Sequence, residues 1–546
     1  MSKVASYLQQ HLSGEVLASE AAREFFSTDA SILRQKPNLI VYPRSTNDIR
    51  KVARFTWQLA EKGHVLPMTA RGSGTDLSGA AIGRGVILVM PAHLNRILEI
   101  DTKQRLVRLQ PGVNFKSLQE TLNTHGLFLP AYPTSYEYST IGGAIANNTA
   151  GEKSLKYGVM RDYVERLEVV LANGEVIETA PLTKKQLEHK KGLATMEGEL
   201  YRAVDGLLSD DPQLAAKLNL NVTKNSMGYA LDQVTAKKGT FNLTPLFVGS
   251  QGSLGVISEA ILRLEPYSPK SNLVMATFTD LDNALDAVDK LTAMVPSTLE
   301  MIDGRTLAIS RKQRGYLPAN RLLSDDDSLP EYVLFTEFDD LKASVRSKKA
   351  KRATKALQGL ADRVVASDDY DEQQTIWSIR HSSSAITNYD QSGRAALPVI
   401  DDGIVPRQAF HQFVKAVYAL FDKYHLEAAI WGHAGDANLH IQPLLDLRKL
   451  GDRQKVFKLM DDYHKIVLKL GGSIAAEHND GRLRAPFNAA QYGDDVAQVF
   501  EQLKKSFDPY GTLNAGVKVG TDTKQLVDML RPDYSLAHLS EHLPRT

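Results

Sequence analysis

Residues 64–90 decide the fold: His64-Val65-Leu66-Pro67-Met68-Thr69-Ala70, then Arg71-Gly72-Ser73-Gly74-Thr75-Asp76-Leu77-Ser78-Gly79, and further on Val86-Ile87-Leu88-Val89-Met90. The first segment reads as a strand over 64–69 and the last as a second buried strand, so the glycine-dense middle joins strand to strand. A Gly-x-Gly-x-x-Gly turn would open a helix, and a P-loop would end in Gly-Lys-Ser/Thr. This loop does neither, and nicotinamide and nucleoside-triphosphate readings lose support. Glycine brings backbone N–H groups close to an anion and tolerates positive φ, so several such loops converging on one place can hold a pyrophosphate without lysines.

Two further glycine-dense stretches occur, Thr140-Ile141-Gly142-Gly143-Ala144-Ile145-Ala146-Asn147-Asn148-Thr149-Ala150-Gly151 and Gly249-Ser250-Gln251-Gly252-Ser253-Leu254-Gly255-Val256-Ile257. Upstream, Ser45 or Thr46 can cap a helix whose apolar residues Ile49, Val52, Ala53, Thr56, Leu59 and Ala60 recur until Gly63. Residues 164–176 alternate like a hairpin around Asn173-Gly174. After Pro266 loop glycines thin out, and strand-like runs (273–278, 332–338) alternate with amphipathic helices (281–294, 341–360), which places a boundary near residue 268. The basic stretch 342–363 has no aromatics interleaved for base stacking and reads as a solvated helix face. The Ser324-Asp325-Asp326-Asp327 patch reads as an exposed loop.

The chain has 546 residues, enough for two to four packed units, with 43% hydrophobic and 24% charged residues and a formal charge of +1. That balance leaves no electrostatic footprint for nucleic acid. The absence of cysteine removes disulfides, cysteinyl nucleophiles, cysteine-held clusters and a cysteinyl flavin bond. No stretch reaches the ~18 apolar residues of a membrane span, and residues 1–10 build no secretory h-region, so the expected location is cytoplasmic.

Seven motifs in order resemble the vanillyl-alcohol-oxidase (PCMH-type FAD-binding) superfamily, and within it the D-lactate, glycolate and D-2-hydroxyglutarate dehydrogenase branch. They are Pro43-Arg44-Ser45-Thr46, Arg71 to Thr75, Pro133-Thr134 with Thr140 to Gly143, Tyr157-Gly158, Lys224-Asn225-Ser226-Met227-Gly228-Tyr229, Gly252 to Gly255, and Phe507-Asp508-Pro509-Tyr510-Gly511-Thr512-Leu513-Asn514. The resemblance implies an α+β fold, with a two-subdomain PCMH-type FAD-binding domain (35–267) and an α+β substrate or cap domain (268–475) built on an antiparallel sheet flanked by helices. A helical extension (1–34) would precede them, and a segment completing the active site (476–523) and a tail (524–546) would follow. FAD contacts would come from Arg71, Gly72, Ser73, Gly74, Thr75, Gly79, Pro133, Thr134, Thr140, Ile141, Gly142, Gly143, Asn147, Gly151, Tyr157, Gly158, Gly252, Gly255, Val256, Ile257 and Asn514. Relatives with covalent flavin place a His near Ser73, so dissociable, non-covalent FAD is expected. Ala515 stands where the family usually has proline.

The sharpest local pattern is Trp431-Gly432-His433-Ala434-Gly435-Asp436-Ala437-Asn438-Leu439-His440, followed by Ala476-Glu477-His478-Asn479-Asp480-Gly481. On one helix His433 and His440 would lie ~10 Å apart along the axis, too far to share an ion. In a hairpin turning between Asp436 and Ala437 they become directly opposed, with Cβ atoms ~5 Å apart, and Glu477 could supply a third ligand. Two His and a carboxylate with an open position compose a catalytic divalent site, with zinc expected and manganese or iron also compatible. Glu477 and His478 can serve one site only if the backbone turns there, which Asn479 and Gly481 permit. The family usually has glycine at the positions of Ala437 and Asn479. The resemblance makes His433, His440 and Glu477 the metal ligands and His478 the base that takes the substrate hydroxyl proton, while flavin N5 accepts the hydride.

Trp377-Ser378-Ile379-Arg380 with Ser384 resembles the family segment whose arginine clamps the substrate carboxylate, and substrate contacts are expected from Arg380, Ser384 and Asn438. The 2-hydroxyglutarate enzymes carry a lysine near the Ile400 position. This chain does not, which favours a monocarboxylate such as D-lactate or a longer D-2-hydroxy acid. The expected partners are a small-molecule 2-hydroxy acid and an external electron acceptor: a quinone, an electron-transfer protein or a separate iron–sulfur subunit. A homodimer is compatible with the sequence. Two rival readings stay open, an FAD oxidase of a sugar or aldonolactone and a non-catalytic flavin-binding electron-transfer subunit.

Overall fold

The computed structural model describes residues 3–236, 239–315, 320–326, 328–383, 390 and 392–541. Strands β1 (Glu15–Leu17), β2 (Leu39–Tyr42), β3 (Met68–Arg71) and β4 (Val86–Val89) form a mixed sheet in the order β1-β2-β4-β3. Every residue of β2 and β4 is buried, as expected of parallel strands covered on both faces. Between β2 and β3 the helix Thr46–Glu61 begins at Ser45, whose side chain accepts the Asp48 N–H. The strand read as 64–69 starts later, at Met68, and the glycine loop leaves its end. One expectation needs correcting here. The stretch 1–34 is not purely helical, because Glu15–Leu17 pairs antiparallel with β2 and closes that edge of the sheet.

The second sheet contains β5 (Ile97–Asp101), β6 (Leu106–Leu109), β8 (Val164–Val170), β9 (Val176–Thr179) and β10 (Val256–Arg263). It is antiparallel in the order β5-β6-β10-β8-β9. The β8–β9 hairpin closes at Asn173-Gly174, with Gly174 at φ +85°. A two-residue pair, β7 (Leu127–Phe128) with β11 (Glu265–Pro266), stands beside it. One apolar core joins both sheets, and it includes Val496, Phe500, Leu503 and Phe507 from a late helix (Asp494–Phe507) and Leu513 from the segment after it.

The third sheet has seven strands: β12 (Asn272–Phe278), β13 (Thr298–Asp303), β14 (Tyr332–Phe338), β15 (Arg363–Ser367), β16 (Ala395–Ala396), β17 (Ala428–His433) and β18 (Asn438–Leu445). Their order is β15-β12-β14-β13-β17-β18-β16, antiparallel throughout. The two-residue alternation of a strand sorts β12 between two cores. Val274, Ala276 and Phe278 join a large cluster with helices Leu281–Thr292, Ala343–Leu357, Phe410–Tyr424 and Leu450–Lys469, whereas Leu273 and Met275 face Leu307, Ile376 and Ile379. The basic helix Ala343–Leu357 turns Ala350, Ala353 and Leu357 inward and leaves Lys348, Lys351 and Arg352 in solvent. Among the described residues no helix is long and apolar enough to cross a membrane.

The segments after β18 return to the first sheet. Leu513 bridges Met68, Leu530 bridges Leu33, and the His538 imidazole lies 2.9 Å from the carbonyl of Gly74. Contacts toward the third sheet come from the second glycine-rich stretch and the helix after it, where Ser154 Oγ donates to Asp436 at 2.7 Å and the Asn147 amide to the Glu477 carbonyl at 2.8 Å.

Candidate active site and cofactor cavity

A cavity of about 1080 Å³ runs between the glycine loops and the face of the third sheet, lined at one end by Gly72 to Thr75 and at the other by His440, Glu477 and His478. Its narrow part is set by the first two loops: a Cβ on Gly72 would fall 2.3 Å from Thr140 Oγ1. Thr140 also caps the helix Ile141–Asn147, whose amino end faces this space, a geometry suited to an anionic group. Ser73, Pro133, Thr134, Gly142, Gly143, Asn147, Tyr157, Gly252, Gly255 and Ile257 also line the cavity, as does Arg71. Other residues expected at the cofactor do not reach the wall. Val256 alternates with Ile257 and points into the core, and Ile141 is core as well. Gly79 and Gly158 pack against Leu33 and Asp162, and at Gly151 a Cβ would lie 2.0 Å from the carbonyl oxygen of Tyr132.

Asn514 is also off the wall, and its position explains how the loops meet. Its side-chain amide donates to the carbonyls of Ala80 (2.9 Å) and Gln251 (2.7 Å), and its oxygen accepts from Thr69 (2.9 Å). Gln251, at φ +52°, continues the network. It donates to Asn147 Oδ1 (3.0 Å) and Ser78 Oγ (3.1 Å) and accepts the Gly481 N–H (2.8 Å). Three glycine-rich loops and the turn after His478 are thus tied at one buried node.

At the other end His433 and His440 come from adjacent strands, but they are not directly opposed. The register pairs His433 with Asn438 and His440 with Trp431. A short 3-10 turn, Ala434–Asp436, closed by Ala437 at φ +57°, sets this two-residue offset. The rings meet diagonally instead, with Nε2 atoms 3.2 Å apart. Glu477 Oε1 completes the triangle at 3.0 Å from His433 Nε2 and 3.3 Å from His440 Nε2. Donors placed tetrahedrally at ~2.1 Å from an ion stand about 3.4 Å from one another, so the three atoms fit one face of a divalent site. The backbone turns after His478, with Asn479 at φ +62° and Gly481 at φ +53°, and His478 stacks on His440 at 4.8 Å and 14°.

Each of the three donors is held from behind. Glu300 Oε1 meets His433 Nδ1 at 2.7 Å, Asp401 Oδ1 meets His440 Nδ1 at 3.0 Å, and the Lys224 ammonium donates to Glu477 Oε2 at 2.6 Å. Asp402, at φ +98°, accepts the N–H groups of Glu477 (2.9 Å) and His478 (2.7 Å) and fixes the turn. Its carboxylate also lies within 4.8 Å of the ligand atoms of His440, Glu477 and His478. Burial alone would raise Glu300 and Asp401, but His433 with Arg380, and His478 with His440, outweigh it and hold each carboxyl at about 2. Burial would depress His440, yet Asp401 and Glu477 push it up to about 10, and Glu300 and Glu477 raise His433 likewise. Glu477 is drawn well down, burial being overcome by His433 and Lys224. His478 goes the other way, because burial prevails over Asp401 and Asp402 and lowers it. Its Nδ1 is buried without a hydrogen bond.

Two expectations about substrate contacts are corrected. Arg380 is fully buried behind His433, donating to Glu300 Oε2 through Nε (3.0 Å) and Nη2 (2.7 Å) and to Ser383 through Nη1 (3.2 Å). The acid that claims it stands eighty residues upstream on β13, out of reach of local reading. Asn438 is also fully buried and donates to the carbonyl of Gly403 at 3.0 Å, which braces the Asp402 turn. Ser384 lies outside the described residues. Glu300, Asp401, Asp402, Lys224 and Gln251 carry no role in the sequence reading. Only the Asp401-Asp402-Gly403 triplet and the Lys224 motif offered a local signal.

Residues 37–180 match the FAD binding domain model and residues 268–517 the C-terminal domain of FAD linked oxidases. The chain belongs to the FAD-linked oxidase family and is an oxidoreductase that uses FAD. It is 30% identical over 515 residues to the glycolate oxidase subunit GlcD of Bacillus subtilis (strain 168), covering 93% of this chain and 95% of that one. It is 27% identical over 522 residues to the D-2-hydroxyglutarate dehydrogenase of Escherichia coli (strain K12), covering 93% of this chain and 50% of that one. The chain thus spans about half the length of the D-2-hydroxyglutarate dehydrogenases it matches. In fold it is similar to p-cresol methylhydroxylase with substrate bound (TM-score 0.69, 15% identity, 96% of this chain and 97% of that one). It is likewise similar to 4-ethylphenol oxidase from Gulosibacter chungangensis (TM-score 0.66, 16% identity, 96% and 98%).

Proposed function

We propose that the chain oxidises a D-2-hydroxy acid of the lactate type to the 2-oxo acid, passing the electrons to an external acceptor. The observation that carries this reading is the triangle of His433, His440 and Glu477 donors, with edges of 3.0–3.3 Å, beside His478 on the wall of a flavin-sized cavity. His433, His440 and Glu477 would hold a divalent cation, zinc by ligand composition, and the loops at Arg71–Thr75 and Thr140–Gly143 would hold non-covalent FAD. When bound, the flavin supplies a hydride acceptor and the cation a positive charge that favours the ionised hydroxyl.

The chain's own residues divide the remaining work. His478 is kept neutral by burial, so it is ready to take the hydroxyl proton at near-neutral pH. Glu300, Asp401 and Lys224 fix the ring orientations and the carboxylate, so that three donors point at one place before substrate arrives. The Asn514–Gln251 node holds the loops against the His478 turn. In this reading 35–267 is the flavin-binding unit and 268–475 the substrate unit, with 476–523 closing the site.

The experiment is anaerobic mixing of the purified yellow protein with a panel of D- and L-2-hydroxy acids, following flavin absorbance, with metal content measured on the same sample. D-isomers should bleach the flavin faster than L-isomers in metal-loaded protein. Bleaching by an aldonolactone and by no hydroxy acid would replace this reading with the sugar-oxidase one.

A further inference from the structure

Beyond the imidazoles the cavity wall carries several rings, set among polar side chains such as Gln373, Gln374 and Gln442. The Trp431 ring centroid lies 5.8 Å from that of His440. Trp377 stacks on His381 at 5.7 Å and 14°, and on Phe335 behind it at 5.8 Å and 18°. Farther out Phe128 meets Tyr157 at 5.5 Å and Tyr267 at 5.9 Å, and Tyr370, 60% exposed, stands where the cavity opens to solvent. Trp431, Trp377, Phe128, Tyr157, Tyr267 and Tyr370, from five separate segments, all line the same cavity as His440 and His478.

The charges on that wall are paired with one another. Lys153 is held between Glu337 (2.7 Å) and Asp339 (3.2 Å), and His381 meets Glu152 at 2.9 Å. Glu152, Glu337 and Asp339 all face the cavity, with Lys156 also on Asp339 at 2.6 Å, so the cations on this stretch are committed to acids and a distal carboxylate would have to compete for them. Arg380, the nearby guanidinium, faces Glu300 rather than the cavity.

Resting on the hydroxy-acid reading above, we propose that the substrate carries a large apolar substituent, aromatic or branched aliphatic, beyond its hydroxyl-bearing carbon, and that Trp377, Trp431 and Tyr267 receive it. Burying such a group against aromatic faces lowers the barrier only if the slot binds it during the reaction. One methylene in an apolar pocket is worth roughly 10–200-fold in discrimination, and a phenyl ring adds several such units of surface.

The test is anaerobic stopped-flow reduction of the flavin- and metal-loaded protein by D-lactate, D-2-hydroxyglutarate, D-2-hydroxy-4-methylpentanoate and D-3-phenyllactate. The expected result is an apparent second-order rate constant for D-3-phenyllactate at least about tenfold above that for D-lactate, with D-2-hydroxyglutarate slowest. Trp377→Ala should reduce the phenyllactate-to-lactate ratio about tenfold. A parallel titration with 3-phenylpropanoate and propanoate, which carry no hydroxyl, reads the slot without turnover, and the phenyl acid should perturb the flavin spectrum at the lower concentration. D-lactate or D-2-hydroxyglutarate reacting as fast as phenyllactate would overturn the substrate class and leave the hydroxy-acid reading standing. Failure of all four acids to bleach the flavin would overturn both.

Discussion

The Lys224 ammonium sits 2.6 Å from Glu477 Oε2, with side chains only 1% and 7% exposed. Holding one carboxylate oxygen this way leaves Oε1 alone facing His433 and His440, so Glu477 is pre-set as a single-atom donor. Lys224→Met removes the restraint and leaves a buried carboxylate short of a partner. Outer partners of metal ligands typically contribute 10–100-fold in affinity. We expect Lys224→Met to lose metal to a chelator at concentrations about that much lower than wild type, by elemental analysis after dialysis. Equal retention would remove Lys224 from this role.

Metal and protons compete for the same nitrogens. Without metal, Asp401 and Glu477 push His440 up to about 10, and Glu300 and Glu477 raise His433 above its ordinary value, so His440 carries a proton at neutral pH, whereas a metal-bound nitrogen carries none. Binding therefore releases protons, and affinity rises with pH until the site passes its own pKa. Calorimetry with zinc in buffers of different ionisation enthalpy should report about one proton or more released at pH 7. A release near zero would mean the rings are already neutral.

For His478 the expectation concerns rate. His478→Ala should keep its yellow colour and its metal yet lose about 10²–10⁴-fold in flavin reduction by the substrate. Equal reduction rates in mutant and wild type would rule out a proton-accepting role.

Arg380 offers a contrast between stability and substrate binding. With Glu300 fully buried against it, Arg380→Met strands a carboxylate and should cost about 3–5 kcal/mol, seen as a lower melting temperature. Adding Glu300→Gln should restore part of that loss. A normally stable Arg380→Met protein with a raised KM would instead point to a carboxylate clamp.

The sequence disclosed what depends on local pattern. Strand–glycine loop–strand at 64–90 marked the flavin-binding half, Asn173-Gly174 the hairpin, and two histidines seven apart around a turn the convergent donors. Register was less legible, because the Ala434–Asp436 turn takes up residues that a tight hairpin would not, and the offset of His433 from His440 follows from it. What escaped was long-range pairing. Glu300 meets Arg380 across eighty positions and Lys224 meets Glu477 across 253, and no spacing rule links residues so far apart. Asn514 closes a recognisable motif, but its work is to tie loops together, which only the fold reveals.

The returns of Leu513 to Met68 and of His538 to Gly74 have a bearing on biogenesis. On the ribosome, the loop from Arg71 to Thr75 emerges more than four hundred residues before the strand-like segment and imidazole that brace it. These contacts form only once nearly all of the described chain has been made, so the first glycine loop gains its bracing late, after the third sheet has been synthesised.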